Sequence, residues 1–196
     1  MRIISLGHAC QVAHQLRRLE VAKETLFYDW IVSTHDALMS TLHLELDGIL
    51  FSERIEFDSR KVRLQDKASG LWFYGHDFPG AANKTGIATK DEVDAVREKY
   101  LRRSERTKQA LSENDVTVIR HFYDLQLEKA QTEQLEIAAK LEQLYPGTNF
   151  LYLWISELPE SDHTPHKGRM LHVPKGADWK GDDHAWDRVA ERFMRQ

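Results

Sequence analysis

Apolar residues recur along this chain in two rhythms that alternate. Short apolar runs at Ile3–Leu6, Leu71–Tyr74, Val116–Ile119, Phe150–Ile155 and Arg169–Val173 read as strands, rich in β-branched and aromatic side chains. Between them, apolar positions fall at helical spacing. Val12, Ala13, Leu16 and Leu19 predict a helix after the first strand. Leu127, Ala130, Leu135, Ala138, Leu141 and Leu144 predict another, stopped by Pro146-Gly147, and Trp186, Val189 and Phe193 share one face of a closing helix. Thr89-Lys90-Asp91-Glu92 has the acids of a helix start and opens a long charged helix that runs to about Ser112. Residues 36–51 read as a helix ending near Gly48. A pair of short strands is expected around Ile55-Glu56-Phe57 and Val62-Arg63-Leu64.

Strands alternating with helices, with continuous apolar strand interiors, predict an α/β fold: a three-layer sandwich with a mostly parallel central sheet. Residues 1–196 are read as a single α/β domain, and the irregular stretch 36–90 as a small cap over one sheet edge. Sites in such sheets lie at the carboxyl ends of the strands. If the strands are parallel, that rule gathers the Gly7-His8-Ala9-Cys10 turn, His76-Asp77 and Arg120-His121 at one edge.

Composition narrows the function classes. Hydrophobic residues make up 41%, charged residues 30%, and the formal net charge is -4. The basic cluster Arg97, Lys99, Arg102, Arg103, Arg106 and Lys108 is interrupted by Glu98 and Glu105 and reads as a solvated helix face, so no nucleic-acid partner is expected. No apolar run approaches the roughly 18 residues of a membrane span, so no membrane association is expected. The N-terminus has no signal-peptide pattern, and the lone cysteine excludes an internal disulfide framework. Together these predict a cytoplasmic protein.

Candidate chemistry centres on Cys10, in the first turn of the first helix. Unpaired backbone N–H groups and the positive end of the helix dipole favour a thiolate there. His76, at a loop mouth after an aromatic strand, is the expected base. Asp77 and Asp29 are alternative acids to orient it. Asp29 sits between Tyr28 and Trp30, where a carboxylate needs partners, and it reads equally as a helix cap. Gly7, His8, Arg17, Trp30, Arg120 and His121 are the expected substrate-binding neighbours. A competing reading is a non-catalytic sugar- or phosphate-binding module, with an anion held at the Gly7 turn. That turn lacks the glycine pattern of dinucleotide or P-loop sites. His163 and His166 beside Asp162 lie in a proline-containing loop whose spacing carries little ligand geometry. No metal and no cofactor are expected.

Several of these features in order, Ser5-Leu6-Gly7, Cys10-Gln11-Val12-Ala13, Gln15-Leu16-Arg17-Arg18 and Tyr28-Asp29-Trp30-Ile31, resemble a bacterial domain family of unknown function described as papain-like cysteine peptidases. His76-Asp77-Phe78, Lys99-Tyr100 with Arg102, Arg103 and Arg106, and the Trp179 to Trp186 ending also match. The family usually carries Pro-Phe before Asp-Trp, where this chain has Phe27-Tyr28. The resemblance implies a cysteine hydrolase or acyl transferase with Cys10 as nucleophile and His76 as base, acting on a peptide or small-molecule substrate. The three-layer α/β architecture read from the periodicity differs from a papain fold.

Overall fold

The computed structural model describes residues 2–45, 49–58, 63–80, 87–123, 127–159 and 167–194. Strands β1 (Arg2–Ser5), β6 (Asp115–Phe122), β7 (Asn149–Ser156) and β8 (Arg169–His172) form one sheet in the order β1-β6-β7-β8, and every pairing is parallel. Strand β6 is buried from Val116 to Phe122, which is why its sequence is β-branched and continuous rather than alternating. Helices α1 (Gln11–Arg18) and α5 (Asp183–Phe193) cover one face. There Val12, Leu16, Trp186, Val189 and Ala190 pack on Ile119, Leu153, Ile155 and Leu171. Helices α3 (Lys90–Leu111) and α4 (Leu127–Leu144) cover the other, with Val96, Tyr100, Ala110, Ile137 and Leu141 in a core with Ile4, Val116, Val118 and Trp154. The expected three layers are present. The start of α3 is fixed by a capping box: the Thr89 hydroxyl accepts from the Glu92 N–H, and the Glu92 carboxylate accepts from the Thr89 N–H.

A second sheet occupies part of the stretch expected as a cap. Strands β2 (Ile31–Val32), β3 (Ile55–Asp58), β4 (Arg63–Asp66) and β5 (Trp72–Tyr74) run antiparallel in the order β2-β5-β4-β3. The helix expected over residues 36–51 is only α2, His35–Thr41, capped by Thr34. Beyond it the apolar spacing persists without a helix among the described residues. Leu44 and Leu50 are buried but take positive φ angles of 59° and 58°, and the Leu50 N–H is satisfied by the Asp66 carboxylate at 3.2 Å. Because β5 belongs to the antiparallel sheet, His76-Asp77 does not lie at the carboxyl end of a parallel strand, as the alternation had suggested.

The two sheets are joined by Arg120. Its guanidinium is fully buried and donates to the Leu6 carbonyl at 2.9 Å and to the Ser33 carbonyl at 3.0 Å. Leu6 follows β1 and Ser33 follows β2, so one side chain ties the end of each sheet to β6. Ser33 completes the junction. Its hydroxyl donates to the Leu6 carbonyl at 3.2 Å and accepts from the His8 N–H at 3.1 Å, and its own N–H donates to the His8 carbonyl at 3.2 Å.

Gly7 sits inside this junction with φ +71°, and a Cβ there would stand 2.8 Å from the Ser33 hydroxyl and 2.9 Å from the Tyr28 carbonyl. Replacement therefore combines left-handed backbone strain with overlap against backbone. Gly7→Ala is expected to cost more than about 1 kcal/mol in urea unfolding. Gly147→Ala, in the turn after α4 with nothing within 4 Å of the added carbon, is expected to stay within about 0.5 kcal/mol. Equal stability of the two variants would contradict this account of the junction.

Candidate active site

The Gly7-His8-Ala9 turn leaves β1 and delivers Cys10 to the N-cap of α1. Cys10 opens on a cavity of about 410 Å³ lined by Ala9, Cys10, Trp30, Tyr74, His76, Tyr123 and Trp179. These residues come from the start of α1, the segment before β2, the end of β5, the end of β6 and the loop before α5. The cavity thus lies where the carboxyl edge of the parallel sheet meets the antiparallel sheet. It brings Cys10 and His76 together although 66 positions separate them in sequence (76 − 10).

The thiol is protonated at rest. Burial raises its pKa from 9.0 to about 11, the nearby Asp77 and Asp29 carboxylates push in the same direction, and a hydrogen bond from Tyr74 opposes them. A rise of that size is on the order of 3 kcal/mol against the thiolate. A helix N-terminus supplies typically ~0.3–1 kcal/mol and at most ~2. The dipole that the sequence pattern invokes is therefore present but outweighed by desolvation. Tyr74 remains a neutral donor because burial raises its own hydroxyl to about 12.

His76 is the accessible member of the site, with a side chain 58% exposed. Its ring stacks on Tyr74 at 6.0 Å between centroids with 13° between planes. Tyr74 therefore touches both Cys10 and His76. Asp77 lies beneath the imidazole, its Oδ1 3.7 Å from His76 Nε2. That separation is too long for a hydrogen bond. Asp77 itself is buried, accepting from the Lys99 ammonium and, at 2.9 Å, from the Tyr100 hydroxyl.

The other expected residues divide. Trp30 lines the cavity, and Arg17 lies over its ring at 5.3 Å while donating to the Thr25 hydroxyl. Asp29 does not cap the helix that follows, a role that Thr34 takes; it accepts the Leu26 N–H at 2.7 Å within the turn before β2 and borders a different cavity with Arg2, Ser5 and Glu24. Burial raises its pKa to about 6, opposed by the Leu26 N–H and by Arg103, Arg17 and Arg106. Arg120 and His121 are wholly buried behind the cavity rather than lining it. They read as a polar pair at a strand's end, but β6 continues through them to Phe122. His121 packs on Tyr123 at 3.9 Å and His8 on the same ring at 4.9 Å. Desolvation lowers both imidazoles, to about 3 and about 4, with Arg120 adding in each case and His8 also acting on His121. The Gly7 and His8 N–H groups, which would hold an anion at the turn, already donate to the Ser5 and Ser33 hydroxyls at 3.1 Å each. Among the described residues no three potential metal ligands gather; Asp162, His163 and His166 lie outside those residues.

Tyr74, Tyr123 and Trp179 escaped sequence reasoning. Tyr74 and Tyr123 are aromatic residues at or just beyond the end of an apolar run, and such residues look like core. Only Trp179, isolated in a polar loop next to Lys180 and Gly181, carried a usable signal.

Fold and site together define an α/β protein with a buried cysteine at a strand–helix turn, facing a histidine across an aromatic cavity. The sequence model of the family described as "Putative papain-like cysteine peptidase (DUF1796)" matches residues 1–155, and the chain belongs to that family. Searches of curated proteins and of solved structures returned no match. Among the described residues no helix is long and apolar enough to cross a membrane.

Cys10 is the only thiol of the chain, so alkylation reports on it alone. Its rate is expected to climb from pH 7 to about pH 10 without levelling, because the thiol is raised rather than depressed. Tyr74→Phe, which removes the donor to the thiolate, is expected to slow alkylation by roughly tenfold at each pH. A plateau below about pH 8, or no effect of Tyr74→Phe, would contradict the described electrostatics.

Proposed function

We propose that this protein is a cysteine-dependent hydrolase of the peptidase type, or an acyl transferase when the acceptor is not water. The observation that carries the reading is that Cys10 and His76 open on one cavity with Tyr74 in contact with both. The Cys10 sulfur attacks the carbonyl carbon of an amide or ester as its proton passes to His76. His76 returns that proton to the leaving group, and water, activated by the same imidazole, hydrolyses the thioester. The N–H groups of the first turn of α1, that of Cys10 included, are free of intrahelical partners and face the developing oxyanion. Tyr74 stabilises the sulfur anion, and Asp77 stabilises the imidazolium. Because the resting thiol is neutral, attack is coupled to general-base proton removal, as for a hydroxyl nucleophile. Asp29, engaged by the Leu26 N–H and bordering a different cavity, is the weaker candidate for the acid. A lone thiol suits a reducing compartment such as the cytoplasm.

The raised thiol favours one alternative, a binding module in which Cys10 is only part of the wall. The occupied Gly7 and His8 amides and the aromatic lining count against phosphate as the ligand of such a module.

Hydrolysis of an activated aryl ester separates the two. His76→Ala is expected to lower kcat/KM by about 10²- to 10⁴-fold, Cys10→Ala to abolish turnover, and the wild-type rate to rise with pH through the neutral range. Hydrolysis by Cys10→Ala at the wild-type rate would refute the enzyme reading.

A further inference from the structure

We infer that the cavity beside Cys10 is a subsite for a neutral aromatic side chain on the acyl portion of the substrate, gripped by Trp30 and Trp179. This rests on the hydrolase reading for its biological meaning but not for its test.

Two indoles flank the nucleophile along one stripe of α1. Cys10, His14 and Arg17 follow one another at helical spacing. Trp179 packs edge-on against His14 at 5.2 Å, and Trp30 packs under Arg17. Both rings reach from there to the cavity wall. Trp179 is 54% exposed, so much of an expensive apolar surface is left for something to cover.

The hydroxyls of the wall are already committed, which bears on the chemistry of the guest. The Tyr123 hydroxyl donates to Gln11 Oε1 at 3.1 Å, the Tyr74 hydroxyl serves the Cys10 sulfur, and His76 serves as base. A sugar stacked on the indoles would find few partners for its hydroxyls. A cation would find the rings but no carboxylate among the described residues that line the cavity; the nearby Asp77 is held by Lys99 and Tyr100, and a guanidinium already sits over Trp30. A neutral ring loses nothing on entry and gains offset or edge-on contacts with the two indoles.

The test uses Cys10→Ala protein, which cannot turn over, and follows tryptophan fluorescence with non-reactive ligands. N-acetyl-phenylalanine amide is expected to bind at least about tenfold more tightly than N-acetyl-alanine amide. Adding Trp179→Ala is expected to remove most of that preference, and Trp179→Phe to retain it. Circular dichroism checks that the half-exposed position leaves the fold intact. Equal affinity for the two amides, tighter binding of N-acetyl-arginine amide or methyl glucoside, or an undiminished preference in Trp179→Ala would each overturn the inference. Failure of ester hydrolysis with the phenylalanine preference intact would remove the hydrolase reading alone.

Discussion

The Arg120 guanidinium lies wholly out of solvent, where a charge is costly unless hydrogen bonds and an opposite charge offset it. Two backbone carbonyls, those of Leu6 and Ser33, accept from it, and the nearly buried Glu133 on α4 supplies the opposing charge. Burial lowers its pKa to about 10, so it stays charged at neutral pH. The consequence is geometric. The carbonyls belong to the segments leaving β1 and β2, and fixing both fixes the angle at which the two sheets meet. The Gly7 turn, and with it Cys10, hangs between those anchored points. His76, at the far end of β5, is placed by the pairing of β5 with β2, whose Ile31–Phe73 register follows from the same anchor.

The resulting site has an acid–base layout in which each charge is assigned a partner before substrate arrives. Lys99 and Tyr100 hold Asp77, and the Leu26 N–H holds Asp29. His8 and His121 are kept neutral by burial. That leaves His76 as an exposed imidazole and Cys10 as a neutral, desolvated thiol beside the Tyr74 hydroxyl. Desolvation raises the cost of the thiolate but also strengthens each interaction that stabilises it once formed.

Much of this was legible in the sequence, for definite reasons. The strands β1, β6 and β7 and the helices α1, α4 and α5 carry their own periodicity, and the parallel order follows from their alternation. Cys10 stood out as a lone thiol at a strand–helix turn. His76 stands out at a loop mouth, but its relation to Cys10 depends on a two-residue strand, Ile31–Val32, too short to show a pattern. Residues 36–51 misled because Leu42, Leu44, Ile49 and Leu50 are apolar and buried yet lie largely past the end of α2. Arg120 and His121 misled in the opposite sense, since polar residues at a strand's end suggest a solvent-facing edge, and here that edge is covered by the second sheet. Tyr74 has no charge or nucleophile to mark it, and its importance comes only from touching two residues that do.

The central claim, that Cys10 is the nucleophile of this cavity, is tested most directly by intact-protein mass spectrometry during incubation with an aryl ester. One acyl group is expected to appear on Cys10 and decay, and in His76→Ala to form and decay far more slowly. Ester consumption without any adduct on Cys10, or an adduct formed equally fast without His76, would contradict the account.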